Sequence, residues 1–299
     1  IIVPRDKFME WIDEQAAKSE LRELVRKTIE EATIEMQLAG VSAGTVSNLN
    51  GKAFKSVDEW RCRPLTREYP YVYVDGIYLK RSWGGSYENV AVMVAIGVNE
   101  DGYHEVIGCA EGFTESKECR WGFPSWLKSR RLRGVRMFTG DKAAGMAGSI
   151  AEGFPKAQYQ RCATRFYRNA LAKVPKSKRS RVAAMLKAIH AMESRDAPGA
   201  KAESVAGELE SMGPKEAKMV REGFAETLAY CEMPREHWRC IRTNNAIERL
   251  DREIRRGTRV VGTFPDGKSA LMLMAARLKY VADSEWGSRR YLDASLINE

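Results

Sequence analysis

Near Tyr69 the spacing of apolar residues changes from helical to extended, and it stays extended or strand-like, broken by short helical stretches, until about Cys162. Tyr69 to Asp75 (YPYVYVD) is aromatic and β-branched, and Asn89 to Val98 (NVAVMVAIGV) is a continuous apolar run. Asn99-Glu100-Asp101-Gly102 supplies turn residues before a third extended stretch, Tyr103 to Ala110. A helix is predicted around Trp121 to Arg131, a strand over Val135 to Thr139, a helix over Ala143 to Gly153 and a strand over Ala157 to Cys162. The order is therefore β-β-β-α-β-α-β, with the first three strands antiparallel.

Such an order predicts an α/β fold with a mixed five-stranded sheet flanked by helices, the arrangement of the ribonuclease-H-like fold. In that fold, carboxylates at the ends of the first and fourth strands meet at one edge of the sheet. The flanks are helical. Asp6 to Met36 carries apolar residues at helical spacing (Phe8, Trp11, Ile12; Leu21, Leu24, Val25, Ile29) and reads as two helices, and Ser42 to Leu49 reads as a helix entry after a Ser or Thr cap. Phe166 to Cys231 has no strand signal, and its amphipathic stretches Val182 to Met192 and Glu216 to Tyr230 are separated by a link at Ala197 to Ala200. It reads as an all-helical insertion into the core. A basic helix from about Asn244 and a second from Ser269 to Ala282 complete the chain. The expected division is a helical N-terminal region 1–67, core 68–165, insertion 166–237 and core 238–299.

With a formal charge of +9, the chain favours an acidic polymer as partner, though charge alone does not separate DNA from RNA or a membrane surface. The longest apolar run, Ala91 to Val98, is too short to span a membrane. Six cysteines without paired spacing and no secretory signal point to a reducing cytoplasm. The sequence opens on Ile1 rather than Met, as a fragment would. No Gly-rich phosphate loop, Ser-His-Asp order or Cys-x-x-Cys pair supports nucleotide hydrolysis, acyl transfer or a zinc ribbon. His104 and His190 belong to no constellation and are expected at the surface.

Phosphodiester chemistry by two metal ions needs hard oxygen ligands a few ångströms apart. Asp75 is placed at the end of the first strand, with Gly76 letting the chain turn, and Asp141 follows the fourth strand. Each has another reading, Asp75 as a turn aspartate in an Asp-Gly pair and Asp141 as a helix cap. Glu248, between Ile247 and Leu250 in the basic helix, reads equally as a solvated glutamate.

The segments YVYVDGIYLK, GDKAAGM, YQRCATRFYRN and RTNNAIERLDREIRRGTRVVGTFPDG resemble the bacterial insertion-sequence transposases of the Mutator-like DDE family, from about Glu31 to the C-terminus. The resemblance implies Asp75, Asp141 and Glu248 as the catalytic, metal-holding triad, two Mg²⁺ or Mn²⁺ ions, and DNA as partner of a homodimer. It implies nicking at element ends followed by attack of the freed 3′-hydroxyl on another strand. Arg249, Arg252, Arg255, Arg256 and Arg259 recur at three- and four-residue steps, as a phosphate-binding face would; Lys80 and Arg81 are weaker candidates of the same kind. Trp238 matches a family motif before the glutamate helix and is a candidate for stacking on an unpaired base.

Against the family pattern, Leu38 to Ser42 runs almost directly into Gly44 to Leu49, so most of the end-recognition module is expected to be absent. Gly257 stands for an arginine, Asp251 for an asparagine, and Arg165 for the histidine three residues after Cys162. Arginine neither accepts a proton nor ligates a metal, so the junction of core and insertion is expected to be looser here. The alternatives to a strand-transferase are a non-catalytic DNA-binding remnant that interferes with a full-length transposase, and a structure-specific nuclease of the same fold.

Overall fold

The computed structural model describes residues 43–83, 86–112, 122–141, 146–191, 197–210, 214–258, 264 and 266–297. Two compact units divide the chain, Ile1–Trp60 and Arg61–Glu299. The described part of the first is helix α1, Ala43–Cys62, which runs two residues past the division. The two helices expected over Asp6 to Met36 lie outside the described residues.

The second unit is built on five strands: β1 Tyr71–Trp83, β2 Ser86–Val98, β3 His104–Gly112, β4 Met137–Gly140 and β5 Gln158–Arg161. Their order in the sheet is β3-β2-β1-β4-β5. The first three strands pair antiparallel, and β4 joins β1 and β5 in parallel, so the sheet is mixed, as expected. Helices α2, Gly122–Ser129, and α3, Met146–Gly153, supply the crossovers that parallel neighbours require. The β2-β3 turn is locked by Asn99, whose Oδ1 accepts from the N–H groups of Asp101 and Tyr103. Gly102 closes it at φ 86°, where a Cβ would meet the Leu292 carbonyl at 2.0 Å.

Alternation along β1 separates two environments. Val72 and Val74 point into a core with Ala95, Ile107, Phe138, Leu127 of α2 and Ile150 of α3, all buried. Tyr71, Tyr73 and Asp75 take the other face. Contrary to expectation, β1 does not end at Asp75: it runs 13 residues, with Asp75 opposite Val94 and Gly76 opposite Met93 of β2. The Asp-Gly pair stays extended because a long antiparallel partner holds both residues in the ladder. What stops here is the parallel neighbour, since pairing with β4 closes at Tyr73↔Thr139.

The helical segment forms α4 Ala163–Ala172, α5 Arg179–His190, α6 Ala197–Glu210 and α7 Pro214–Phe224. Phe166, Leu186, Ile189, Val205, Leu209 and Phe224 are among the residues of a core of its own. Ala197 to Ala200, read as a link, is the first turn of α6; Pro198 is tolerated there because a first-turn N–H has no helical acceptor to lose. His190 is not at the surface: it is 6 % exposed, ringed by Tyr167, Phe224 and Tyr230, with Nδ1 hydrogen-bonded to the Tyr167 hydroxyl. His104 is half-buried, stacked on Trp286 and against Tyr291. Burial lowers the pKa of each to about 4.

The chain returns to the sheet through α8 Trp238–Ile241, α9 Asn245–Thr258 and α10 Gly267–Ala282. Asp266 caps α10 by accepting from the Ser269 N–H at 2.6 Å, and α10 lies against β3. Among the described residues no helix is long and apolar enough to cross a membrane.

Candidate active site

Two residues beyond the last β1-β4 pair, Tyr73↔Thr139, come Asp75 on one chain and Asp141 on the other. Since side chains alternate with period two, both aspartates continue the face of Tyr73 and Thr139. Close approach of the strands here requires glycine: a Cβ on Gly140 would lie 2.8 Å from the Tyr159 hydroxyl and 2.9 Å from Val74 Cγ2. That hydroxyl donates to the carbonyl of Asp141, fixing the residue as it leaves β4.

The same face takes hold of the returning chain. Tyr71 donates its hydroxyl proton to His237 Nδ1 at 2.9 Å, because His237 Nε2 must donate to the Asp293 carbonyl at 2.7 Å. Tyr73 donates to the Cys240 carbonyl at 3.1 Å and Thr139 to that of Ile241 at 2.9 Å. Asn244, fully buried, donates its side-chain N–H to the Val74 carbonyl at 3.1 Å and its backbone N–H to Cys162 Sγ at 3.3 Å. Helix α9 starts on the next residue, and Ala246, Ile247, Leu250 and Ile254 bury its inner side. Glu248, in its first turn, is thereby delivered to the aspartates.

All three carboxylates meet at Arg165, on the first turn of α4. Its Nη2 contacts Asp75 Oδ2, its Nη1 lies 3.1 Å from Asp141 Oδ2, and its Nε lies 3.9 Å from Glu248 Oε1. Arg168, one turn on, reaches Glu248 at 3.6 Å. Burial lifts the Asp75 carboxyl to about 6, against the pull of Arg165 and the Gly76 N–H and with the push of Asp141 and Glu248. Asp251, one turn after Glu248, is lifted to about 7, first by burial and then by Asp75, with Arg255 and Arg165 opposing. Burial pulls the Arg165 pKa down, yet Asp75 and Asp141 outweigh it and raise it above its ordinary value. The centre is an acidic pocket with one guanidinium seated in it.

Comparison with known proteins finds that the family described as "Transposase, Mutator family" matches residues 5–288. The chain belongs to the Mutator family of transposases. It is 30% identical over 260 residues to the transposase for insertion sequence element ISRM5 of Rhizobium meliloti, covering 86% of this chain and 65% of that protein. It is 32% identical over 258 residues to the transposase for IS1081 of Mycobacterium tuberculosis (86% and 62%), and 30% identical over 260 to that for IS256 in transposon Tn4001 of Staphylococcus aureus (85% and 66%). The chain thus spans a little under two thirds of the length of these relatives. The family match begins further toward the N-terminus than Glu31.

Arg165 and Asp251, two positions singled out in the sequence, fall together at this pocket. Their opposite charges were the available signal, and the Arg165 guanidinium lies among three carboxylates. Arg249, Arg252, Arg255 and Arg256 are exposed on α9, with Arg256 paired to Glu253 at 2.5 Å; Arg259 and the Arg81 side chain lie outside the described residues. Lys80 does not join the site: alternation puts it on the opposite face of β1 from Asp75, roughly 17 Å along the strand. Trp238 is half-buried, donates its indole N–H to the Met233 carbonyl at 2.8 Å and packs edge-on to Tyr230, as a structural residue does. Sequence reasoning passed over the exposed run Lys173, Lys176, Lys178, Arg179 and Arg181, which enters α5 with no acidic residue among them.

Proposed function

We propose that Arg61–Glu299 is the catalytic core of a DNA transposase that cuts and rejoins strands at insertion-sequence ends, with Asp75, Asp141 and Glu248 as its metal-holding residues. The observation that carries this is the meeting of three carboxylates from β1, the end of β4 and α9 at one point. The strand order and directions support a ribonuclease-H-like reading of the sheet.

Carboxylate oxygens are the donors that Mg²⁺ and Mn²⁺ take, and a cation, the chain's own guanidinium, already lies among them. Among the described residues no group of three or more carboxylate, imidazole or thiol side chains is arranged to hold a metal ion as the side chains stand. The donor chemistry suits the ions, and the carboxylates would have to turn from Arg165 toward them. Two bound ions would activate the attacking oxygen and stabilise the leaving one. The chain's own contribution is positional: Asn244, Tyr73 and Thr139 hold α9 so that Glu248 faces the aspartates. Arg249, Arg252 and Arg255 offer exposed charge to phosphates along the same helix.

Incubation of supercoiled and element-end DNA with the chain and Mn²⁺ tests the reading. Metal-dependent cleavage is expected, lost in Asp75→Asn, Asp141→Asn and Glu248→Gln; cleavage that survives all three substitutions would exclude the assignment. The seat taken by Arg165 favours a second reading, a non-catalytic DNA-binding partner of a longer transposase. Firm DNA binding without cleavage at any Mn²⁺ concentration would select it.

A further inference from the structure

We propose that Arg165 is a tethered counter-ion that holds Asp75, Asp141 and Glu248 together in the metal-free chain and competes with a divalent cation for the same oxygens. The inference rests on the reading of those carboxylates as metal ligands and adds what controls their loading.

Nη2 and Nη1 of the guanidinium hydrogen-bond to Asp75 and Asp141, and Nε, which makes no hydrogen bond, lies 3.9 Å from Glu248 as a looser ion pair. The three residues come from β1, the end of β4 and α9, and Arg165 is the group that contacts all of them. Its charge is permanent, so proton loss cannot vacate the seat. Mg²⁺ requires oxygens at about 2.0–2.1 Å in near-octahedral geometry, and an ion at that distance from these oxygens would stand against the guanidinium charge. Loading therefore begins with Arg165 leaving.

An exit exists. The Arg165 side chain is 22% exposed, and Arg168, on the same helix, is 64% exposed while still reaching Glu248. A swing of the Arg165 side chain toward solvent leaves Arg168 beside the pocket and the backbone of α4 in place. Removing a counter-charge from buried Asp75 and half-buried Asp141 and Glu248 is costly, so the withdrawn state is a minor one. A state a few kcal/mol uphill is populated at roughly 0.1–10%, and apparent metal affinity falls by that fraction. Deleting the guanidinium should then tighten metal binding by about tenfold or more.

Mn²⁺ titration of the full chain, with free ion followed by electron paramagnetic resonance, compares the parent with Arg165→Ala, Arg165→His and Arg165→Lys, and thermal melts in EDTA and in Mn²⁺ accompany it. Expected are binding at least about tenfold tighter in Arg165→Ala and Arg165→His and near-parent affinity in Arg165→Lys, which keeps the charge. Arg165→Ala should also melt below the parent in EDTA and gain more from Mn²⁺, since a ligand stabilises the state that binds it. Folding of Arg165→Ala only when Mn²⁺ is added would support the proposal in the same way. Measurable binding that is no tighter in Arg165→Ala or Arg165→His than in the parent, yet is abolished by Asp75→Asn, overturns the counter-ion role alone. No Mn²⁺ binding by any of these proteins overturns it together with the reading of the carboxylates as ligands.

Discussion

His190 closes α5 inside an aromatic ring of Tyr167, Phe224 and Tyr230, and burial holds its pKa near 4, well below the ordinary 6.5. Between those two values the unfolded chain binds a proton and the folded chain does not. Stability therefore rises with pH across this window and is lost as pH falls through it, by on the order of 3 kcal/mol for this one group at pH 4. His104, depressed to about 4 by burial, adds in the same direction. Denaturant unfolding of the parent and of His190→Gln at pH 6.5 and 4.5 checks this: the parent should lose more stability than the variant, and equal losses would remove His190 as the cause. The burial of His190 was not legible in the sequence, because the rings that cover it come from α4, α7 and the segment after α7. The placement of Asp75 and Asp141 beside one another was legible, since each follows a short apolar run. Asp251 was noticed only as a residue of the basic helix run, its burial near Asp75 hidden until α9 was placed over the sheet.

At the scale of elements, period two was readable in β1 and β4, but where β1 ends was not. Hydrogen bonding to β2 decides that, and the Asp-Gly pair gives a turn signal that the partner strand overrides. Helices α4 to α7 were readable as helical because their apolar spacing never leaves the helical period, although the start of α6 was taken for a link. Gly140 was passed over entirely, and it sets the approach of β4 to β1 next to Asp141. Gly140→Ala places a methyl group against the Tyr159 hydroxyl, Val74 Cγ2 and the Val74 carbonyl, so side chains or β4 itself must give way. The expected cost is about 1–3 kcal/mol, with weaker Mn²⁺ binding as Asp141 moves off its register with Asp75. Thermal melts and Mn²⁺ titration of the variant measure both; a parent-like melting temperature would show that the strands separate freely.

For the molecule as a whole, the net charge is +9, and Arg249, Arg252 and Arg255 on α9 and five cations between Lys173 and Arg181 entering α5 are exposed. DNA affinity should fall linearly with the logarithm of salt concentration, each phosphate neutralised adding about 0.9 to the slope. Replacing Arg249, Arg252 and Arg255 together by alanine should lower that slope by roughly 2 to 3, and an unchanged slope would move the DNA path off α9. Net charge and fold class could be read from one sequence, whereas the meeting of Arg165 with three carboxylates depends on packing between segments far apart. The hydrogen bonds from Tyr71, Tyr73 and Asn244 join residues 166, 167 and 170 positions apart. Closing such loops is paid in entropy before it is rewarded, and a chain emerging from the ribosome folds its early segments first. During synthesis, therefore, the two aspartates and Arg165 leave the ribosome before α9 does, and contacts among those three become possible first. Glu248 can join them only after α9 has emerged and docked on the sheet.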